Sequence, residues 1–386
     1  MSGVYLHIPF CASRCIYCGF YSTTDASWRS AYVDALCREM HLRREEFERL
    51  GTVRTIYFGG GTPSLLSEKQ LSQLFDNLKE VCFPNEEEAP WKGLEITLEA
   101  NPDDVTDDFA ATIGRLPINR VSLGVQTFND ERLRFIHRRH TAAQVADAIR
   151  RLREAGIDNI SIDLMFGFPQ QTLQEWTADI DRAIKMNVEH ISSYALTYEP
   201  GTVLHTWMEQ KRVSLVDEEL YRQMYEVLID RLTAAGFEHY EISNFGKKRS
   251  LHNSGYWQQT PYIGLGAAAH SFDRKTRSWN IADMQRYVDG TNHNQRLFEE
   301  EQIDETTVLN DLIVTALRTC GGINLESLSS PDRIYLESQA KPMIDCGLLQ
   351  LTDNHLHLTR EGLFISDNIM TRLIKIDHET DDQRTI

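Results

Sequence analysis

Apolar positions in the first two-thirds of the chain switch repeatedly between two periods. Short β-type runs fall at Val4–Ile8, Val53–Phe58, Leu94–Leu98, Arg120–Val125, Asn159–Leu164 and His190–Leu196. Spacings of three and four residues predict amphipathic helices over Trp28–Leu50, Ser67–Cys82, Thr106–Leu116, Thr141–Ala155, Leu173–Met186 and Asp217–Ala235. Ser67 is placed to cap its helix. Repeated βα units imply a parallel sheet, because each crossover returns right-handedly. About six units are too few for a closed eight-fold barrel. A partial, splayed barrel and a doubly wound sheet both satisfy the periodicity. The unusual residues favour the barrel: Cys11, Gly60, Glu99, Gln126 and Asp163 each lie at or just past the C-terminal end of a predicted strand. Barrels of this kind build their sites on that rim.

The remaining third reads differently. A β-type run at Glu238–Ile242 precedes residues 243–290, rich in Asn, Gly, Tyr and His with little regular period. The acidic run Glu299-Glu300-Glu301 reads as a solvated boundary. Helices are predicted over Thr306–Thr319 and Arg333–Cys346, a hairpin over Leu348–Leu358, and a last helix over Thr359–Ile374. Helices followed by a hairpin suggest a small winged-helix-like domain. The polar tail Asp377–Ile386 is expected to be disordered. The chain thus divides into a barrel over 1–240, an extension over 241–298, a C-terminal domain over 299–376 and the tail 377–386.

Composition narrows the partners. The chain has 386 residues, 41% hydrophobic and 25% charged, within the ordinary globular range, with a formal charge of −17. Such an acidic chain has no long-range attraction to phosphate backbones, so nucleic acid is not expected as a partner. Arg132, Arg134, Arg138 and Arg139 are the best candidates for a local basic patch. No window approaches the roughly 18–20 apolar residues of a membrane span. The N-terminus lacks the basic stretch and apolar core of a signal peptide, so the expected location is the cytoplasm, where thiols stay reduced.

Seven cysteines is an odd number, and Cys11, Cys15 and Cys18 fall within eight residues. Their C-x3-C-x2-C spacing, at the end of the first strand, lets one tight loop wrap three thiolates around a compact object. A structural zinc site wants four ligands, and there is no second C-x2-C pair. His7 is the nearest alternative fourth ligand, but its place in mid-strand suits a packing role better. Cluster ligation by cysteine is otherwise four-fold, so three thiolates on a [4Fe–4S] cluster leave one iron open to a small molecule.

This spacing resembles the signature of the radical S-adenosylmethionine (SAM) enzymes. The longer string Tyr5-Leu6-His7-Ile8-Pro9-Phe10-Cys11 … Tyr17-Cys18-Gly19-Phe20 is similar to the oxygen-independent coproporphyrinogen III oxidase superfamily and, within it, to the haem chaperones. The resemblance implies a partial (β/α)6 TIM-like barrel, a [4Fe–4S] cluster on Cys11, Cys15 and Cys18, and SAM bound to it. A reduced cluster of this type cleaves SAM to methionine and a 5′-deoxyadenosyl radical. Gly59-Gly60-Gly61-Thr62-Pro63 follows a strand, where glycines let backbone approach a ligand. It looks like the family's SAM-binding glycine segment and points to Gly60, Gly61 and Thr62. Glu99, Gln126, Arg138, Asp163 and, more weakly, Ala195 match further SAM positions. Tyr5 and Tyr17 match positions flanking the cofactor. In relatives some of these residues serve a second SAM, so one or two molecules remain open.

Two features separate this chain from the decarboxylating oxidases. Those show a fourth cysteine two residues after the third, where this chain has Phe20, and they carry a longer segment before the cysteines. His252-Asn253-Ser254-Gly255-Tyr256-Trp257 fits the H-N-x-x-Y-W pattern of the haem chaperones. Imidazole ligates haem iron well, which makes His252 a candidate axial ligand; a histidine near Tyr and Trp is as readily structural. His270 is a further candidate, and Lys247-Lys248-Arg249 could meet propionates. The resemblance implies a chaperone that binds haem and delivers it to acceptors, membrane-associated respiratory enzymes among them, at the inner face of the membrane, with a homodimer as an assembly. The alternative is a true oxidase converting coproporphyrinogen III to protoporphyrinogen IX in porphyrin biosynthesis.

Overall fold

The computed structural model describes residues 2–84 and 90–376; the expected disorder of Asp377–Ile386 falls outside them. Six strands run in parallel and in chain order: β1 (Ser2–Ile8), β2 (Val53–Gly60), β3 (Glu95–Ala100), β4 (Arg120–Gln126), β5 (Asn159–Phe166) and β6 (His190–Ala195). Helices cross between them. Reciprocal side-chain caps begin three of these helices: Ser67 with Gln70, Thr141 with Gln144, and Thr172 with Glu175. The main apolar core lies between sheet and helices, from Val4, Leu6 and Ile8 through Ile160 and Ile162 to Trp176.

The inner face carries the other parity. Along β4, Arg120, Ser122, Gly124 and Gln126 alternate inward while Val121, Leu123 and Val125 are buried in the core. Glu99, Asp163 and Ser192 reach the same interior from β3, β5 and β6. This is the partial (β/α)6 barrel the resemblance implies.

Residues 243–290 are far from irregular. After β7 (Glu238–Glu241) and β8 (Asn244–Gly246), the chain forms the helix Leu251–Trp257, then β9 (Tyr262–Leu265), β10 (His270–Phe272) and β11 (Thr276–Asn280). β9 pairs in parallel with β1, and β10, β11 and β12 (Phe298–Gln302) extend the sheet outward. These strands are too short to display a period. The acidic run Glu299–Glu301 belongs to the exposed edge strand β12, with Arg277 Nη1 2.7 Å from Glu301. Charge on an open edge discourages pairing with other chains.

The expected single helix over Trp28–Leu50 is instead two, Arg29–Leu42 and Arg44–Leu50. Arg43, at the break, and Glu39 turn inward and are almost fully buried. Arg43 donates to Glu39, Glu46, the Gly264 carbonyl and Ser271. Glu39 accepts from the Gly266 amide, Asn280 and Tyr287. This pair fastens the β9–β11 extension to the first crossover helix. Two further short helices, Asp130–Phe135 and Val203–Glu209, also gave no legible pattern.

A second core, with Leu309, Ile313, Leu336, Leu349, Leu356 and Leu373, gathers the C-terminal helices on a three-stranded sheet of β13 (Ile323–Asn324), β14 (Leu349–Thr352) and β15 (His355–Leu358). The expected last helix is divided into Arg360–Leu363 and Ser366–Leu373. Among the described residues no helix is long and apolar enough to cross a membrane.

Removing one member of a buried ion pair strands the other. Glu39→Ala should therefore lower unfolding stability by about 3–5 kcal/mol in a denaturant titration, whereas Glu301→Ala on the exposed edge should change it by less than about 1 kcal/mol.

Candidate functional site

The cysteine loop leaves β1 at Pro9 and is closed at its neck. The Thr23 amide donates to the Pro9 carbonyl at 2.7 Å, and the Cys11 amide to the Thr23 carbonyl at 2.9 Å. Ile16, at its tip, is buried in a small apolar cluster with Ile136, Met165, Phe168, Leu196 and Leu204. The Leu204 amide holds the Ile16 carbonyl at 2.9 Å, so the unforeseen helix Val203–Glu209 helps set the loop. His7 spans its base: Nε2 meets the Tyr21 carbonyl at 2.9 Å and Nδ1 meets the Tyr5 hydroxyl at 3.0 Å. With both nitrogens engaged, His7 is a brace and not a fourth ligand. Among the described residues, no three His, Cys, Asp or Glu side chains converge as on a single metal ion.

Cys11, Cys15 and Cys18 line the mouth of a cavity of about 730 Å³. Burial pushes the Cys11 and Cys18 thiols up from their usual pKa. Hydrogen-bond donors stand against two of the sulfurs: Thr62 Oγ1 lies 3.6 Å from Cys11 Sγ, and Arg138 Nη1 lies 3.7 Å from Cys15 Sγ. Donors aimed at sulfur favour thiolates and tune a cluster they hold. A three-thiolate iron–sulfur group fits this donor set.

The glycine segment reaches the same mouth. The Gly61 amide donates to the Ile8 carbonyl at 2.9 Å, and a β-carbon on Gly61 would come within 2.8 Å of backbone atoms of Ile8, Pro9 and Phe10. Gly60 has φ of 109°, and a β-carbon there would lie 2.4 Å from the His7 ring. Only glycine permits this contact between β2 and the cysteine loop.

Glu99 is fixed by the Tyr57 hydroxyl at 2.8 Å and the Gly60 amide at 3.1 Å. Burial pushes its pKa up to about 7 against those two donors, and nearby Asp163 adds to the rise. Burial raises Asp163 as well, although the Ser122 hydroxyl lies 3.3 Å from both its oxygens. Gln126 sits past a bulge in β4 with φ of 67°, which turns its side chain into the cavity. Arg138 follows the short helix Asp130–Phe135 through a left-handed turn at His137, φ 62°. Its guanidinium donates to Asn101 Oδ1 at 2.6 Å and to the Gly124 carbonyl.

Of the sequence-predicted residues, the cavity gathers Cys11, Cys15, Cys18, Tyr17, Gly60, Gly61, Thr62, Glu99, Gln126, Arg138, Asp163 and Ala195. Two are placed elsewhere. Tyr5 is turned back onto His7 and stacks on Tyr57 at 6.1 Å between ring centres; Tyr57 takes the wall position instead. His252 plugs the floor of the barrel. Its Nδ1 meets Thr55 Oγ1 and its Nε2 meets the Tyr256 hydroxyl, both at 2.8 Å, and its ring stacks on Tyr57 at 5.0 Å. Burial lowers its pKa to about 3. With both ring nitrogens bonded and the ring outside the cavity lining, this structure places His252 as a floor residue and not where the axial-ligand expectation put it. His270 is exposed, outside this cavity, stacked on Trp279. Tyr57, Arg120, Ser122, Ser192, Tyr194 and Asn253 were missed as wall residues. Strand parity held the signal for two of them: stepping back by two from Gln126 passes Gly124 and reaches Ser122 and Arg120.

A carboxyl whose folded pKa is raised favours folding most below its unfolded pKa, near 4.5, and loses that contribution as pH rises toward 7. Glu99→Gln should therefore raise the Tm of the cofactor-free protein more at pH 8 than at pH 5; an equal gain at both would contradict the raised pKa.

The family model described as the radical SAM superfamily matches residues 5–183, and that of the HemN C-terminal domain matches residues 303–365. A protein of Bacillus subtilis named heme chaperone HemW is 33% identical, with 96% of this chain and 98% of that protein covered. Its namesake from Lactococcus lactis is 33% identical, with 97% and 98% covered. The fold is similar to that of coproporphyrinogen III oxidase (HemN) from Escherichia coli, with a TM-score of 0.82 at 21% identity over 97% of this chain and 90% of that one. Full-length relatedness at this level, over a barrel whose rim gathers the signature cysteines, makes the chain a member of the HemW family of the radical SAM superfamily.

Proposed function

We propose that the protein is a radical-SAM-type haem chaperone: it holds a [4Fe–4S] cluster on Cys11, Cys15 and Cys18, binds SAM beside it, and carries haem to acceptor proteins. The observation that carries this reading is the convergence of three thiols, the glycine, acid and amide groups of β2 to β5 and the Arg138 guanidinium on one cavity, in a chain related end to end to proteins named heme chaperones. When bound, such a cluster supplies one electron to the SAM sulfonium. The protein's own part is placement. Gly60, Gly61 and Thr62 offer backbone and hydroxyl groups to the methionyl end, Arg138 is a cation for its carboxylate, Glu99, Gln126 and Asp163 are hydrogen-bond partners for ribose and amine, and Tyr17 and Ala195 pack on the adenosyl part.

Haem is cargo in this reading. Phe20, 69% exposed, and Tyr194, 42% exposed, line the cavity and present aromatic surface on which a porphyrin can pack. Phe20 also leaves no thiol where the oxidases have their fourth cysteine. We place the chaperone in the cytoplasm, delivering haem at the inner face of the membrane.

Anaerobic haemin titration of the reconstituted protein, with and without SAM, should give a saturable Soret shift. Absence of saturable binding rejects the chaperone reading, and formation of protoporphyrinogen from coproporphyrinogen III under reduction with SAM would replace it with the oxidase. Cys15→Ser should lose the iron–sulfur absorbance. His252→Ala should keep the haemin titration while losing about 2–4 kcal/mol of stability, because Thr55 and Tyr256 are left unpaired in the barrel floor.

A further inference from the structure

The floor of the lumen is built from paired polar groups. Thr55, His252 and Tyr256 form one chain of hydrogen bonds. Ser161, His190 and Tyr240 form a second, each contact 2.7 Å. Glu95 accepts the Leu251 and His252 amides at 3.1 and 3.0 Å, capping the floor helix. Thr97 Oγ1, and Ser254 Oγ and Trp257 Nε1 of the floor helix, are left unpaired, and Arg120 is the charged group that joins them. It is 1% exposed and lines the cavity, yet its Nε and Nη1 have no hydrogen-bond partner and, among the described residues, it makes no ion pair. The charge of Arg120 is felt by Glu99 and Asp163, yet neither carboxylate comes within ion-pair distance, so its planar fork is left open to a carboxylate.

Arg138 is engaged nearer the rim, against Cys15 and Asn101. It holds the Gly124 carbonyl, four residues along β4 from Arg120, which is about 13 Å at about 3.3 Å per residue. A SAM whose carboxylate meets Arg138 at the rim leaves Arg120 unmet below.

We propose that Arg120 is a second carboxylate-binding point, at the floor of the lumen, for a carboxylate-bearing ligand that shares the chamber with the rim-bound SAM. The chemistry fits a porphyrin propionate or the methionyl carboxylate of a second SAM; the first source rests on the chaperone reading above, and the second does not. Ser192 and Asn253, also in the lining, offer further donors to such a group.

Anaerobically reconstituted wild-type, Arg120→Gln and Arg120→Lys proteins separate the sources. Haemin and haemin dimethyl ester are titrated by Soret absorbance, and bound SAM is counted by equilibrium dialysis. A propionate contact predicts that Arg120→Gln weakens haemin about tenfold or more, as for a lost charged hydrogen bond, leaves the ester unaffected, and keeps the SAM count. A methionyl contact predicts one SAM fewer in Arg120→Gln and unchanged haemin. Arg120→Lys, which keeps the charge, should retain part of either effect. Unchanged haemin affinity and SAM count in Arg120→Gln overturn the site. If that variant does not fold, equal wild-type affinity for haemin and its ester, with an unchanged SAM count in Arg120→Lys, overturns it equally. Wild-type protein that binds no haemin defeats the chaperone reading alone, because the SAM count still decides for Arg120.

Discussion

Six parallel strands that turn carboxylates, hydroxyls and a guanidinium inward cannot close on one another as a dry interior. In a filled barrel, layers of branched apolar side chains occupy the axis. Here β3, β4, β5 and β6 set Glu99, Arg120, Asp163 and Ser192 there, and a cavity of about 730 Å³ stays open between them. The apolar faces of the same strands are spent on the helices outside. The cost of holding buried acids shows in the raised pKa of Glu99 and Asp163. Groups held this way are offset in the folded chain only where a partner exists, as Tyr57 and the Gly60 amide are for Glu99. The remainder can be met by a polar ligand, so one inward parity determines both the shape of the chamber and the kind of molecule it suits.

The two ends of that chamber are secured by different means. At the rim, the cysteine loop touches the β2 glycines so closely that any side chain on Gly61 would displace backbone. His7 ties the loop back to β1. At the floor, the helix Leu251–Trp257 closes the opening with His252 and Tyr256. The segment around that helix is anchored through β9, whose Gly264 and Gly266 backbone groups contact the buried Arg43 and Glu39. The histidine that resembled a haem ligand thus acts as masonry. Its neighbour Asn253, one position on, is the residue of that motif that reaches the cavity.

Much of this was legible in the sequence. Six strands, the Ser67 cap and the cysteine spacing each depend on a local signal: an apolar run, a hydroxyl before a periodic stretch, three thiols in one turn. The resemblance then supplied residues from separate units, and most of those share one cavity. What stayed hidden depends on distant partners. Glu39 and Arg43 sit in a helical pattern like any exposed acid and base, and only the β9–β11 strands reveal why the helix breaks there. The segment 243–290 has strands of three to five residues, below the length at which alternation can be counted. Tyr5 and Tyr57 are both aromatic residues on neighbouring inward faces, and local sequence cannot say which one faces the ligand.

The charge distribution reconciles an acidic chain with the anionic cargo proposed for it. Most of the arginines that looked available are already paired at the surface: Arg132 with Glu175, Arg139 with Asp103 and Asp104, Arg249 with Glu238. Arg138 and Arg120 face the lumen with no ion pair among the described residues, one over the cysteines and one at the floor. A chain of net charge −17 does not draw carboxylates from a distance. Inside the barrel, two buried guanidiniums act at short range, where a carboxylate gains more than at the surface. On the proposed reading, selection for an anionic ligand would therefore occur after entry, by the depth at which its charge comes to rest, and not by steering on approach.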